Sequence, residues 1–433
     1  MTQIKRHGSI LILFLGVAVH ASFSQTQLDS TWAGRVIGKI DVFGNQKTKT
    51  DFILRELKQN PGDRLDLSLA EEGRKRVQNL NLFHRVMLFG QSASDTVDLM
   101  ILVTERWYWF PYPLLHLNDR DWGKISYGAG LAHQNVRGRG EILSSYFQLG
   151  YNPSVQLTYV SPWLWRSHDF SGGVDVFYQQ VQSKHFTEEE VDENHAGFIF
   201  TGGKRFGLNI SSEFEIGYQS ISFSPEIQGS TLQNSGTDRM AFASMGLIWD
   251  YRDLAEYPHQ GWYVSVSGRK TGLGQTGINY WRTQGDFRLY CPVRNSTLAF
   301  RLAGAFSNGS LPVYDLLYLG YTERIRGHFY TVYEGAHRAL ASVAYRIPLI
   351  PVQYVDVGSE SQMQDWPLGV SLGLFCDTGL VWNQGQQVEP SMLISGYGMG
   401  LHFHLPFVQL FRLELALDEE GHSQVIADMF VAF

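Results

Sequence analysis

Cysteine is nearly absent. The chain has two in 433 residues, Cys291 and Cys376, too few for a disulfide framework or a cysteine-rich metal site. Charge is scarce as well: Asp, Glu, Lys and Arg make up 18%, below the ~25% of ordinary soluble domains. The formal net charge is -7, the wrong sign for a nucleic-acid binder, which needs a basic stripe. Beyond the N-terminal segment no window reaches the ~18 consecutive apolar residues of a membrane helix. Phosphate-loop, zinc-protease and nucleophile-elbow patterns are missing, so no cofactor, metal or enzymatic reaction is expected. His402 and His404 share a strand face, but no clustered carboxylate accompanies them.

Glycine (44 residues) and aromatics (14%) are abundant, at a mean hydropathy of -0.16. A disordered chain would be charge-rich and aromatic-poor. The combination fits a transmembrane β-barrel, whose strands average an apolar and a polar face. Residues 1–24 read as a secretory signal peptide. Lys5, Arg6 and His7 precede an apolar run from Ile10 to Val19, and small residues (Ala21, Ser22, Ser24) follow. Removing them takes away two basic residues and no acid, leaving 33 basic against 42 acidic residues, net -9.

Residues 33–105 read as a small α+β domain in the order strand, helix, helix, strand, strand. The first strand, Val36 to Phe43, ends at the turn pair Gly44-Asn45. Thr48 or Thr50 is expected to cap the first helix and Ser68 the second. Residues 106–433 show no good helical period. They break into sixteen segments of two-residue alternation separated by Gly, Asn, Asp and Pro. These start near Trp107, Lys124, Glu141, Pro153, Asp169, His195, Leu208, Arg239, Gly261, Ile278, Ser296, His337, Trp366, Gly396, Gln409 and Ser423. The expected fold is a 16-stranded antiparallel β-barrel behind the small domain. In the last segment Val425, Ala427, Met429, Val431 and Phe433 form one apolar row, expected to face lipid. In the segment before it, Phe411, Leu413, Leu415 and Leu417 point outward, while Arg412 and Glu414 point into a watered lumen.

Several motifs resemble one family. Ile40-Asp41-Val42-Phe43-Gly44-Asn45, Pro61-Gly62-Asp63, Asn79-Leu80-Asn81-Leu82-Phe83 and Val103-Thr104-Glu105 look like a POTRA domain, a periplasmic module. Behind it, Ile325-Arg326-Gly327-His328 resembles the (V/I)RG(F/Y) loop motif of the BamA/TamA superfamily, with His where Phe or Tyr is usual. Phe375-Cys376-Asp377-Thr378-Gly379 resembles its F-x-D-x-G motif. Asp250-Tyr251-Arg252-Asp253 with Pro258 and Gly261 resembles its periplasmic turn. Asn135, Gly138 and Gly140 match an N-x-x-G-x-G pattern.

The resemblance implies an outer-membrane barrel with its POTRA domain in the periplasm. It also implies that the loop folds into the barrel and Arg326 meets Asp377. Function would be assembly or insertion of outer-membrane proteins through a seam between the first and last strands, residues 107–117 and 424–433. Pro111 and Pro113 would weaken one side of that seam and Phe430 and Phe433 would lie on the other. Expected partners are unfolded outer-membrane β-barrel polypeptides, membrane lipids, and periplasmic chaperones or accessory lipoproteins. Polypeptide translocation, as in two-partner secretion, a non-insertase scaffold and a passive pore are the alternatives.

Overall fold

The computed structural model describes residues 26–433 except 94, 118–123, 165–168, 184–190, 228–229, 234, 275–276, 321–322, 329–330, 359–362, 407–408 and 430–432. The segment read as a signal peptide and the seam residue Phe430 therefore lie outside the described residues.

The N-terminal domain is a four-stranded sheet in the order β1-β3-β4-β2, carrying two helices. Its elements are β1 (Thr26–Gln27), β2 (Val36–Phe43), α1 (Thr50–Leu54), α2 (Leu67–Asn79), β3 (Phe83–Ala93) and β4 (Thr96–Glu105). Apolar residues of both helices and of the alternating strands fill one core, with Ile53, Val77, Phe83, Val86 and Val97 fully buried. Gly44 and Asn45 turn the chain out of β2. The Asn45 amide holds the next turn by donating to the Thr48 carbonyl (3.0 Å) and Thr50 Oγ1 (3.0 Å). Neither expected helix cap is used. Asp66 caps α2, accepting from the Ser68 and Leu69 amides, because it lies just outside the first turn whereas Ser68 is already inside it. The residue before α1 is Lys49, which makes no side-chain cap. Thr48 is instead buried, and its hydroxyl donates to Glu105 Oε1 (2.6 Å).

Sixteen antiparallel strands follow in one sheet. They are β5 (Trp109–Leu117), β6 (Ile125–Val136), β7 (Glu141–Gly150), β8 (Ser154–Ser161), β9 (Phe170–Gln182), β10 (Asp192–Phe206), β11 (Ile210–Ser224), β12 (Thr237–Asp250), β13 (Gly261–Thr271), β14 (Asn279–Val293), β15 (Ser296–Ser310), β18 (His337–Val355), β19 (Trp366–Trp382), β20 (Ile394–Leu405), β21 (Gln409–Asp418) and β22 (Ser423–Met429). Between β15 and β18 the chain makes a long loop with its own short hairpin, β16 (Leu317–Leu319) and β17 (Tyr333–Gly335). All sixteen strands start within three residues of the positions read from alternation.

The sheet curls round on itself. Tyr257, after β12, reaches His402 on β20, with 3.0 Å between hydroxyl and ring nitrogen. Outward positions are apolar and exposed around the circumference, among them Phe147, Phe200, Met245, Leu302, Met399 and Val425. An apolar belt of this extent has no place on a water-soluble surface and matches the lipid face of a membrane barrel. The ends of the sheet are β5 and β22, and among the described residues no ladder joins them.

The last apolar row stops earlier than its alternation suggests. Val425 and Met429 are exposed on the outside, but Phe433 is 2% exposed. It packs with Tyr290, Ala344, Phe375, Ala416 and Ile426. Its carbonyl accepts from Arg346 Nη2 (2.8 Å), and its ring lies 5.6 Å from that guanidinium. The expected lipid-facing position of Phe433 is thus corrected. A buried cation recruits both its carbonyl and its ring, and that draws it inward.

The N-terminal domain seats against one end of the barrel, on alternate connections among the described residues. In the 137–140 turn, Gly138 has φ +73° and its carbonyl accepts from the Lys49 amide (2.8 Å). A Cβ there would lie 2.1 Å from the Lys47 carbonyl oxygen, so only glycine permits this approach. Asn135 Nδ2 donates to Thr48 Oγ1 (2.9 Å) and its Oδ1 accepts from the Gly140 amide (2.8 Å), which gives the N-x-x-G-x-G pattern its physical content. Elsewhere on this face, Arg106 pairs with Glu256 (2.9 Å) and Arg85 with Asp365 (2.9 Å).

Glu56 is the centre of a fourth contact. It accepts two hydrogen bonds from Arg205 (2.7 and 3.0 Å) and one from Arg76 (3.3 Å). Burial alone would push its carboxyl up, but Arg205, Arg76 and Arg55 together hold it below the ordinary carboxylate range.

Two outcomes test this description. Leu302 is lipid-facing and midway along β15, so Leu302→Arg should lower barrel stability by about 2–4 kcal/mol in a urea titration of folding in liposomes. For Glu56 the folded value lies below the unfolded one, so its contribution is complete at neutral pH and fades only as pH falls through the folded value. Glu56→Gln should therefore lower the thermal midpoint of domain docking at pH 7, followed by tryptophan fluorescence. The gap from wild type should begin to narrow only below about pH 4.3, the ordinary glutamate value, and go on closing as pH falls further.

Candidate functional site: a loop locked inside the barrel

The loop between β15 and β18 descends into the lumen. Its underside is apolar: Leu319 and Ile325 pack on Leu340 of β18, beside Val381 and Ile394. This anchoring delivers Arg326 to a wall of acidic side chains. The alternation of β19 turns Phe375, Asp377 and Gly379 inward, and that of β21 turns Arg412 and Glu414 inward. Arg326 donates to Asp377 from Nε (2.7 Å), from Nη2 (2.7 Å) and from its backbone amide (3.1 Å). Its Nη1 donates to Glu414 Oε1 (3.2 Å). The Phe375 ring lies 3.8 Å from the guanidinium carbon. The arrangement is a two-pronged fork on a carboxylate, stacked on an aromatic face, which suits arginine and not lysine.

The loop backbone must come close for this to happen. Gly396 on β20 makes room: a Cβ there would lie 1.6 Å from the Arg326 carbonyl oxygen. Gly379 lies beneath Ile325, and Gly327 lies against the Gly396 and Leu417 backbone. The period-two glycines 396, 398 and 400 can be read from sequence as curvature. That Gly396 receives the loop needs a long-range contact that no local pattern carries.

Two further contacts were not legible in advance. Glu323, three residues before Arg326, accepts from Arg301 Nη1 and Nη2 (both 2.8 Å), and Arg301 is itself held by Asp286. The loop is thus pinned by charges of opposite sign on opposite flanks. His328 pairs with Glu419 (2.6 Å) in the turn after β21 and lies 3.0 Å from the Tyr333 hydroxyl.

The 251–260 turn lies at the end of the barrel that meets the N-terminal domain. Asp250 takes the Arg252 guanidinium through both oxygens (2.9 and 2.7 Å). Asp253 Oδ1 accepts from the His259 amide (2.9 Å), Pro258 is buried, and Gly261 opens β13. Tyr257, the residue before Pro258, enters the lumen between His402 and Arg346. His402 is occupied by Tyr257 and Glu414 (3.3 Å). At the sheet ends, Pro111 and Pro113 sit on β5 opposite Leu131 and Ala129 of β6.

Comparison with known proteins follows this geometry. Residues 135–425 match the Omp85 superfamily domain. The chain belongs to the Omp85 superfamily. Residues 36–106 match a POTRA domain, described as a surface antigen variable number repeat. Among solved structures the chain resembles BamA from Haemophilus ducreyi lacking POTRA domains 1-3, at 18% identity and TM-score 0.51, over 92% of this chain and 83% of that one. It also resembles CdiB from Acinetobacter baumannii (12% identity, TM-score 0.52, 92% and 73% covered) and CdiB from Escherichia coli (12%, 0.53, 92% and 75%). This Omp85 barrel lies in the bacterial outer membrane with its POTRA domain in the periplasm. The docked turns are therefore the periplasmic ones, and the 311–336 loop enters from outside. Omp85 proteins insert polypeptides into the outer membrane or move them across it.

The buried guanidinium sets the expected consequences. Arg326→Ala leaves the buried Asp377 without its guanidinium and strips Glu414 of one of its cations, Arg412 staying on the other oxygen, and should cost about 3–5 kcal/mol. This is read as a lower temperature for loss of the compact electrophoretic form. Asp377→Ala should act in the same direction. The double variant should fall short of the summed effects; strict additivity would mean that the two residues are uncoupled. Gly396→Ala removes no charge, yet it should also lower that temperature by displacing the loop.

Proposed function

We propose that this Omp85 protein is an assembly factor that inserts outer-membrane β-barrel polypeptides through the seam between β5 and β22. One observation carries the reading: these strands end the sixteen-stranded sheet without a ladder between them among the described residues. Unpaired backbone groups at membrane depth are costly. An incoming strand that pairs with either edge satisfies both partners. Pro111 and Pro113 offer no donors, which weakens β5 as a partner for β22 and favours a seam that opens.

In this reading residues 33–105 are the receiving domain and 106–433 the barrel. Gly44, Asn45 and Phe83 shape the POTRA domain. Asp250, Arg252, Asp253, Pro258 and Gly261 build the turn it rests on. Arg326, Gly327, Asp377 and Gly379 lock the loop that holds the far wall. Clients are unfolded β-barrel polypeptides, delivered by periplasmic chaperones or with accessory lipoproteins, and the surrounding lipids complete the site. The likeness to CdiB favours a second reading, translocation of a polypeptide through the lumen. That route requires the loop to leave, which breaks four hydrogen bonds of Arg326 at once.

The test is client folding in liposomes. Cys291→Ser and Cys376→Ser provide a cysteine-free background, and cysteine pairs across 109–115 and 423–429 then lock the seam. Folding of an unfolded barrel client should be faster than in empty liposomes. It should slow to the empty-liposome rate when the seam is oxidised and recover on reduction. Undiminished folding with the seam locked would overturn lateral insertion.

A further inference from the structure

Glu414 belongs to more than the loop lock. Its side chain is fully buried on β21, and its two oxygens serve different parts of the barrel. Oε1 accepts from Arg326 of the loop (3.2 Å) and lies 3.3 Å from His402 Nε2. Oε2 accepts from Arg412 Nη1 (2.7 Å). The other prong of Arg412, Nη2, donates to Asp428 Oδ2 on β22 (2.9 Å). Arg324, two residues before Arg326, lies 4.0 Å from the same Asp428 oxygen. A continuous line of charge pairs thus runs from the loop to the last strand: Arg326, Glu414, Arg412, Asp428.

We infer that Glu414 and Arg412 are positioning residues that make the hold on β22 depend on the seated loop. The inference rests on the seam reading above. While Arg326 occupies Glu414 Oε1, Arg412 has only Oε2 of that carboxylate and spends its second prong on Asp428. When Arg326 withdraws, Glu414 Oε1 keeps only the longer contact with His402 (3.3 Å) and comes within reach of Arg412. A guanidinium beside a free buried carboxylate prefers the two-pronged arrangement. Arg412 then turns fully onto Glu414, and Asp428 loses its guanidinium and keeps the amide of Met429. Arg324 leaves with the loop, so the second cation near Asp428 goes too. The backbone ladder of 423–429 on β21 then holds β22 without this charge pair. Loop exit and release of the last strand become one event.

The experiment measures hydrogen exchange of the β22 amides in liposomes, with no client present. Arg326→Ala should speed exchange in 423–429 by about tenfold or more, the size of losing one charged hydrogen bond. Asp428→Asn, which leaves the loop lock intact, should do the same, and the two together should do no more than either alone. Asp428→Glu should restore the slow rate and its dependence on Arg326, an outcome that a role limited to overall stability does not produce. Arg412→Lys keeps the charge but loses the fork, and should behave as Asp428→Asn does. Multiplying effects of Arg326→Ala and Asp428→Asn would overturn the inference, as would unchanged β22 exchange in Arg326→Ala. Client folding with the seam locked is scored separately. Coupled exchange with undiminished locked-seam folding sinks the insertion reading alone. Seam-dependent folding with uncoupled exchange sinks this inference alone.

Discussion

A guanidinium buried inside the barrel organises what surrounds it. Arginine does not shed its proton in a protein, so Arg326 must be met by charge and hydrogen-bond acceptors wherever it is placed. Asp377 supplies both oxygens, Glu414 a third and Phe375 a face. Buried ion pairs of this kind contribute little net stability compared with well-packed apolar side chains. Their effect is that any other position of the loop strands a charge. The loop therefore has one seat, and the glycines at 379 and 396 are the spaces that seat requires.

The same reasoning extends to both ends of the lumen. Toward the outside, Glu323 and Arg301 pin the other flank of the loop. Toward the periplasm, Tyr257 leaves the turn that supports the POTRA domain and meets His402 and Arg346, and Arg346 holds Phe433. The POTRA domain closes this end through polar contacts on successive turns, with Thr48, Glu56 and Arg106 as its principal anchors. Every neighbouring pair of strands from β5 to β22 shares a ladder, and among the described residues none joins the two ends of the sheet.

Strands were the most legible part of the chain. A strand between lipid and a watered lumen must alternate, so period two marks its extent, and glycine and aspartate mark its ends. The inward direction of Asp377, Arg412 and Glu414 follows from the same parity. Helix caps in the POTRA domain were less legible, because Thr48, Thr50, Asp66 and Ser68 are all competent cap residues. Local spacing does not say that Thr48 is claimed by Glu105 and Asn135. Phe433 misled for a related reason. Local alternation puts it in the outward row, but a cation on another strand takes it inward.

Sequence by itself determined the class of molecule, the number and limits of the strands, and which side chains face the lumen. Each of these follows from periodicity and from the cost of placing charge in lipid, and both act within ten residues of chain. Tertiary structure alone decided partners: Glu414 for Arg326, Arg301 for Glu323, Asp428 for Arg412, and Arg346 for Phe433. Many luminal charges of each sign share the same parity. Only the curvature of the sheet and the depth of the loop select which of them come within hydrogen-bond reach.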